Sequence, residues 1–177
     1  TEYSYDDVEL TVLIEYSDGD LPNPDSTQLI RYNADGSKAE EAFDENADGM
    51  VESTLLYTYD EDGRLTEILE DNRERSRTSF DYDGLGNLLY KTVDRSDDSV
   101  IDDWERHIYS PDGLLIRSEY GTQTLADGAV SDVPYYRHDY ARDDEGSWNR
   151  RTTESWVDWM YSGREDATYN ADGRLET

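Results

Sequence analysis

Apolar and polar residues alternate in short runs along most of this chain, and glycine interrupts the runs at near-regular intervals. Aligned on Tyr32, Tyr59, Tyr82, Tyr109 and Tyr169, the sequence carries a glycine four residues further on each time, at Gly36, Gly63, Gly86, Gly113 and Gly173. Two residues beyond these stand Lys38, Leu65, Leu88, Leu115 and Leu175. Tyr140 opens a sixth copy, stretched by two residues to Gly146 and then Trp148. Successive tyrosines lie 27, 23, 27, 31 and 29 residues apart. Two positions before them lie Ile30, Tyr57, Phe80, His107, His138 and Ala167; one position before lie Arg31, Thr58, Asp81, Ile108, Asp139 and Thr168. The first column is mostly apolar or aromatic and the second mostly polar. That is the period-2 signature of strands with one packed face and one wet face.

Between tyrosine and glycine the chain reads as a tight turn, as in Asn33-Ala34-Asp35-Gly36, Asp60-Glu61-Asp62-Gly63 and Ser110-Pro111-Asp112-Gly113. Asp and Asn favour early turn positions through local hydrogen bonds, Pro presets φ, and Gly accepts the positive φ that closes a hairpin. Further strands follow the glycines, at 65–69, 88–93 and 114–120, and a leading strand is expected over 8–16. Longer acidic loops are expected near 18–26, 44–50, 71–75, 94–100, 121–131 and 156–163. No amphipathic helix stands out. The pattern predicts an all-β fold, an antiparallel meander of repeated hairpins in a curled or rolled sheet. Residues 1–177 are read as one repeat domain, a fragment or unit of a longer array.

Composition sharpens this picture. Leu, Ile, Val and Phe make up 31 of 177 residues, below the ~20% that accompanies disorder at high net charge. The 15 Tyr and four Trp supply the buriable surface instead. With 44 acidic against 16 basic residues the formal charge is −28. Such a field repels phosphate backbones and anionic membranes and attracts cations, so no nucleic acid and no membrane insertion are expected. No apolar run reaches the ~18 residues of a membrane helix. Cys is absent, which excludes disulfides and thiolate metal sites.

The stretches Tyr57-Thr58-Tyr59-Asp60-Glu61-Asp62-Gly63-Arg64-Leu65, Tyr82-Asp83-Gly84-Leu85-Gly86-Asn87-Leu88 and Tyr169-Asn170-Ala171-Asp172-Gly173-Arg174-Leu175 resemble the YD repeats of the RHS and teneurin family. The resemblance runs from about Gln28 to the C-terminus. It implies extracellular or secreted β-hairpin strips that serve as shells or adhesive surfaces. The Asp-rich segments between hairpins depart from the compact family repeat and are more like those of bacterial surface proteins.

Two of these segments have the chemistry of a cation loop. Asp44, Asn46 and Asp48 place oxygen side chains at alternate positions, and the Met50 carbonyl and Glu52 follow. Asp94, Ser96, Asp98 and Asp102 repeat the plan 50 residues later, with Ser99 in place of Gly49. Ca²⁺ takes six to eight oxygen ligands, so these loops are expected to bind Ca²⁺ and stabilise the fold. Position twelve of an EF-hand would fall on Leu55 and on strand residue Glu105, so neither is an EF-hand. Asp18, Asp20 and Asp25 form a looser acidic cluster.

No nucleophile motif, zinc spacing or phosphate loop occurs. His107 and His138 occupy the repeat column that elsewhere holds Ile30, Tyr57 and Phe80, which marks them as structural. The sequence therefore reads as non-catalytic, extracellular or cell-surface, with a structural or adhesive role and self-association through strand edges. The alternative is a carbohydrate-binding module built on Tyr135, Tyr136, Trp148, Trp156, Trp159 and Tyr161, with a glycan or surface partner.

Overall fold

A computed structural model describes all residues except 7–9, 18–23, 127–128, 143–146, 158–159, 171–174 and 177. The strands are β1 (Glu2–Asp6), β2 (Thr11–Tyr16), β3 (Ser26–Tyr32), β4 (Lys38–Asp44), β5 (Ser53–Tyr59), β6 (Leu65–Asp71), β7 (Ser76–Tyr82), β8 (Leu88–Asp94), β9 (Asp103–Tyr109), β10 (Leu115–Ala126), β11 (Ala129–Arg142), β12 (Trp148–Val157), β13 (Met160–Tyr169) and β14 (Leu175–Glu176). The chain divides into two units, Thr1–Ser79 with Arg95–Asp97, and Phe80–Asp94 with Asp98–Thr177. In the first, β1 to β7 each pair antiparallel with the next in sequence. In the second, β8 to β14 do the same. The fold is thus the all-β antiparallel meander that the alternation predicts. No helix is long and apolar enough to cross a membrane.

The described tyrosine–glycine turns, at 33–36, 60–63, 83–86 and 110–113, share one construction. The Asp60 carbonyl accepts the Gly63 N–H at 3.0 Å, and the Asp60 N–H donates to the Arg64 carbonyl at 2.9 Å. Gly63 takes φ of 78°, and the register slips by one residue beside Tyr59. This is a turn closed by a left-handed residue and a bulge, a geometry glycine adopts without steric cost. The Asp60 carboxylate caps it, accepting the N–H groups of Asp62 and Arg64 at 3.0 and 2.9 Å. Asp83 does the same for Leu85 and Asn87 at 2.8 and 2.9 Å.

Three expectations are corrected. Residues 121–126 and 129–131 belong to β10 and β11 rather than to a loop, paired down to Ala126↔Ala129. Most of 156–163 likewise belongs to β12 and β13. The β-branched residues Thr122, Thr124, Val130 and Val133 suit a strand, and the intervening Gln123, Ser131 and Asp132 disguised it. The leading strand is preceded by another, β1, paired with β2. The faces are also less one-sided than the columns imply. Ile30 and Ala167 are buried on the expected face, but Ala42 and Trp104 are buried on the opposite face of their strands.

The Trp104 indole donates from Nε1 to the Thr122 carbonyl at 3.0 Å. It lies over Gly121, where a side chain would meet Trp104 Cζ2 at 2.5 Å and the Val133 carbonyl oxygen at 2.1 Å. In the first unit, Glu41 is only 5% exposed and sits in the packed row beside Ile30. Its carboxylate accepts the Tyr57 hydroxyl at 2.7 Å and Gln28 Nε2 at 2.6 Å, and pairs with Lys38. Burial pushes the Glu41 carboxyl up, but Lys38, Tyr57 and Gln28 together hold it below its ordinary value. A carboxyl depressed in the folded state stabilises above its unfolded pKa of ~4.3 and loses that contribution as pH falls. Glu41→Gln is therefore expected to cost about 1–3 kcal/mol at pH 7. The deficit should shrink below pH ~4, as urea melts at the two pH values will report.

Candidate metal centre

Loop 45–52 closes β4 onto β5. The Glu52 N–H donates to the Phe43 carbonyl at 2.9 Å, and Asp44, 7% exposed, anchors the turn from below. Asp44 Oδ1 accepts the N–H groups of Asn46 and Asp48 at 3.3 and 3.1 Å, and Oδ2 accepts that of Gly49 at 2.8 Å. Asn46 Oδ1 accepts from the Asp48 N–H at 3.0 Å, and Asp48 Oδ1 from the Met50 N–H at 2.9 Å. Glu52 Oε2 accepts the Glu45 N–H at 2.8 Å. Ala47 and Gly49 take positive φ, 53° and 89°. The alternate Asp and Asn residues are thus turn-builders first, each capping the N–H two residues on.

The same arrangement brings oxygens together. Ligand atoms of Asp44, Asp48 and Glu52 all lie within 4.8 Å of one another, the one such acidic or His group of three or more among the described residues. A carboxylate has about four lone-pair sites, so the bonds above leave acceptor capacity on Asp48 and Glu52 and little on Asp44. The donor set suits a hard cation whose remaining ligands come from water and the Met50 carbonyl.

The second loop copies the backbone but not the convergence. Asp94, 3% exposed, accepts the N–H groups of Asp98 and Ser99 at 3.2 and 2.7 Å, and Asp98 caps Val100 at 2.9 Å. Asp102 closes onto the Val93 carbonyl at 2.8 Å, as Glu52 does onto Phe43. Asp97 and Ser99 repeat the positive φ of Ala47 and Gly49, at 47° and 72°. Asp102 is one methylene shorter than Glu52, and Ser96 replaces Asn46. The tip acid Asp97 pairs with Arg77 at 2.9 Å and Arg75 at 3.4 Å, and Arg77 holds its carboxyl below the usual range. A non-glycine residue held left-handed costs roughly 1–2 kcal/mol. Ser99→Gly is therefore expected to stabilise the fold by about 1 kcal/mol, read from the urea midpoint. Of the looser cluster, Asp18 and Asp20 lie outside the described residues.

The histidines are tied into the sheet. His107 Nδ1 meets Ser118 Oγ at 2.8 Å and His107 Nε2 meets Glu105 Oε1 at 3.0 Å. His138 Nδ1 meets Thr153 Oγ1 at 2.9 Å. The Ser118–His107–Glu105 chain has the connectivity of a hydrolytic triad; Glu105 and His107 share one face of β9, and sequence reading missed the third member because only cross-strand register brings Ser118 to them. Ser118 is 1% exposed, so its hydroxyl fills the sheet rather than meeting a substrate.

Residues 59–98 match the family model described as RHS Repeat. No curated protein matches the chain. Among solved structures, the crystal structure of TcdB2-TccC3-Cdc42 matches with a TM-score of 0.61 at 15% identity, over 93% of this chain and 9% of that one. The crystal structure of TcdB2-TccC3-TEV matches with a TM-score of 0.57 at 15% identity, over 89% of this chain and 9% of that one. The chain therefore spans less than a tenth of the length of these relatives in fold. The tyrosine–glycine hairpins over residues 59–98 thus match the RHS Repeat model, and 93% of the chain is similar in fold to the TcdB2-TccC3-Cdc42 structure.

Proposed function

We propose that this chain is a non-catalytic structural or adhesive repeat strip of an extracellular or cell-surface protein, and that Ca²⁺ in its acidic loops stabilises it. The observation that carries the calcium reading is the convergence of Asp44, Asp48 and Glu52 within 4.8 Å at the end of a hairpin. Asp94, Ser96, Asp98 and Asp102 form the weaker second loop on the same backbone. A cation there would also relieve repulsion among the acidic groups of a chain carrying −28. Self-association would proceed through strand edges: β1 pairs only with β2 among the described residues, and an open edge accepts another strand.

Binding confined to the folded state stabilises by about 2.7 kcal/mol at a hundredfold excess over Kd. Thermal melts should therefore rise by several degrees in millimolar Ca²⁺ relative to chelator, and Asp48→Asn with Glu52→Gln should remove most of the rise, leaving the smaller share of the second loop. Equal melting temperatures in chelator and in Ca²⁺ would remove the calcium reading. Sedimentation tests the edge association separately.

A further inference from the structure

A polar row crosses the second unit from strand to strand. Register places His107 of β9 opposite Ser118 of β10, Ser118 opposite His138 of β11, His138 opposite Thr153 of β12, and Thr153 opposite Glu165 of β13. Both imidazoles turn Nδ1 toward a hydroxyl of the next strand, His107 toward Ser118 and His138 toward Thr153. They are the two histidines of the chain, and they hold one column of the repeat. Their remaining surroundings differ in charge.

His107 has a counter-ion, Glu105 Oε1, 3.0 Å from its Nε2. His138 has no carboxylate partner among the described residues. Across to β10 it meets the Tyr120 ring edge-on, with centroids 5.6 Å apart, and along β11 it lies beside Tyr140 at 6.4 Å. Tyr120, Tyr136 and Tyr140 are the titratable groups that β10 and β11 present on this face, and phenols stay neutral near pH 7. From β12 comes a cation. Arg151 stands opposite Tyr140, two residues before Thr153 and on the same face. Its Nε is buried without a hydrogen-bond partner, and no ion pair holds its guanidinium among the described residues. The carboxylates of this face on the strands beyond are Glu105 on β9 and exposed Glu165 on β13. Each is two strand spacings from His138, ~10 Å, and Glu105 already faces His107. Burial, and then Arg151, push the His138 imidazole below its ordinary value.

We infer that His138 is an acid-sensitive catch: a proton taken up on its ring sets two cations side by side between β11 and β12, and the sheet loosens there while the β9–β10 pairing, with Glu105 facing His107, holds. A histidine that the folded state keeps neutral stabilises above its unfolded pKa of ~6.5 and loses that contribution as pH falls. Carboxylates of ordinary pKa stay ionised down to pH ~5.5, so the histidine acts alone in that window. The unfolded value of ~6.5 caps the loss at about tenfold in the opening equilibrium at pH 5.5. Such opening is local, the kind that hydrogen exchange reads strand by strand. The inference goes beyond the structural reading and depends on neither calcium nor edge association.

Proton NMR of the full chain follows the two Cε1–H signals, and the one left in His107→Gln is His138. Its titration midpoint is expected below ~6.5 and should move up in Arg151→Gln. Protection factors of β11–β12 amides, corrected for intrinsic exchange, should fall several-fold between pH 7.0 and 5.5, and those of β9–β10 should hold. His138→Gln should abolish the fall and His107→Gln should retain it. A midpoint at or above the ordinary value, protection independent of pH across this window, or a fall that survives in His138→Gln would overturn the inference. If His138→Gln does not fold, Arg151→Gln decides: a midpoint that fails to rise contradicts the catch.

Discussion

Gly121→Ala is expected to destabilise the second unit by about 3 kcal/mol, at the upper end of the cost of overpacking. A Cβ at this position would sit 2.1 Å from the Val133 carbonyl oxygen and 2.5 Å from Trp104 Cζ2. The indole has little room to give, since it is 4% exposed and tethered through Nε1 to the Thr122 carbonyl. Even if it moved, the Val133 oxygen is backbone in the neighbouring strand. Removing the indole should therefore fail to rescue the substitution, while Trp104→Ala alone should cost about 3–5 kcal/mol through the cavity it leaves. Gly163→Ala is the control. It is also a strand glycine, but nothing lies within 4 Å of its added Cβ, so its effect should stay within about 0.5 kcal/mol. Urea unfolding of the three single variants and of the Gly121→Ala/Trp104→Ala double variant checks the series.

Asp44→Ala should have the second large effect, about 2–3 kcal/mol. It strips acceptors from the N–H groups of Asn46, Asp48 and Gly49 at once, in a side chain that is 7% exposed. Asp44→Asn keeps one carbonyl oxygen and should cost about half as much. The loss should persist in chelator, because the acceptor role needs no cation; any additional loss in Ca²⁺ reports the ion. Asp94→Ala should follow the same pattern in the second loop, where Asp94 supports Asp98 and Ser99.

The turns were legible because their chemistry is local. Asp60, Gly63 and their counterparts fix each hairpin through bonds within five residues, so the sequence announces them. The Asp44 and Asp94 loops were legible as acidic and as repeats of one plan. Their first aspartates, however, are buried anchors of the backbone, which spacing alone does not separate from metal ligands. The long β10–β13 hairpins were obscured because Thr, Ser and Asp hold extended positions there through cross-strand pairing. Trp104 over Gly121, Glu41 between Gln28 and Tyr57, and the arginine–carboxylate cluster of β11–β13 all depend on register between strands. No periodicity within one strand records which residue its neighbour places opposite.

The dependence of each acidic loop on its own buried carboxylate, Asp44 or Asp94, is tested most directly by amide hydrogen exchange at Gly49 and Ser99 in chelator. Protection comparable to that of the adjoining strands is expected at both, lost at Gly49 in Asp44→Ala and at Ser99 in Asp94→Ala while strand amides persist. Exchange of both amides at free-loop rates in the unsubstituted chain would contradict it.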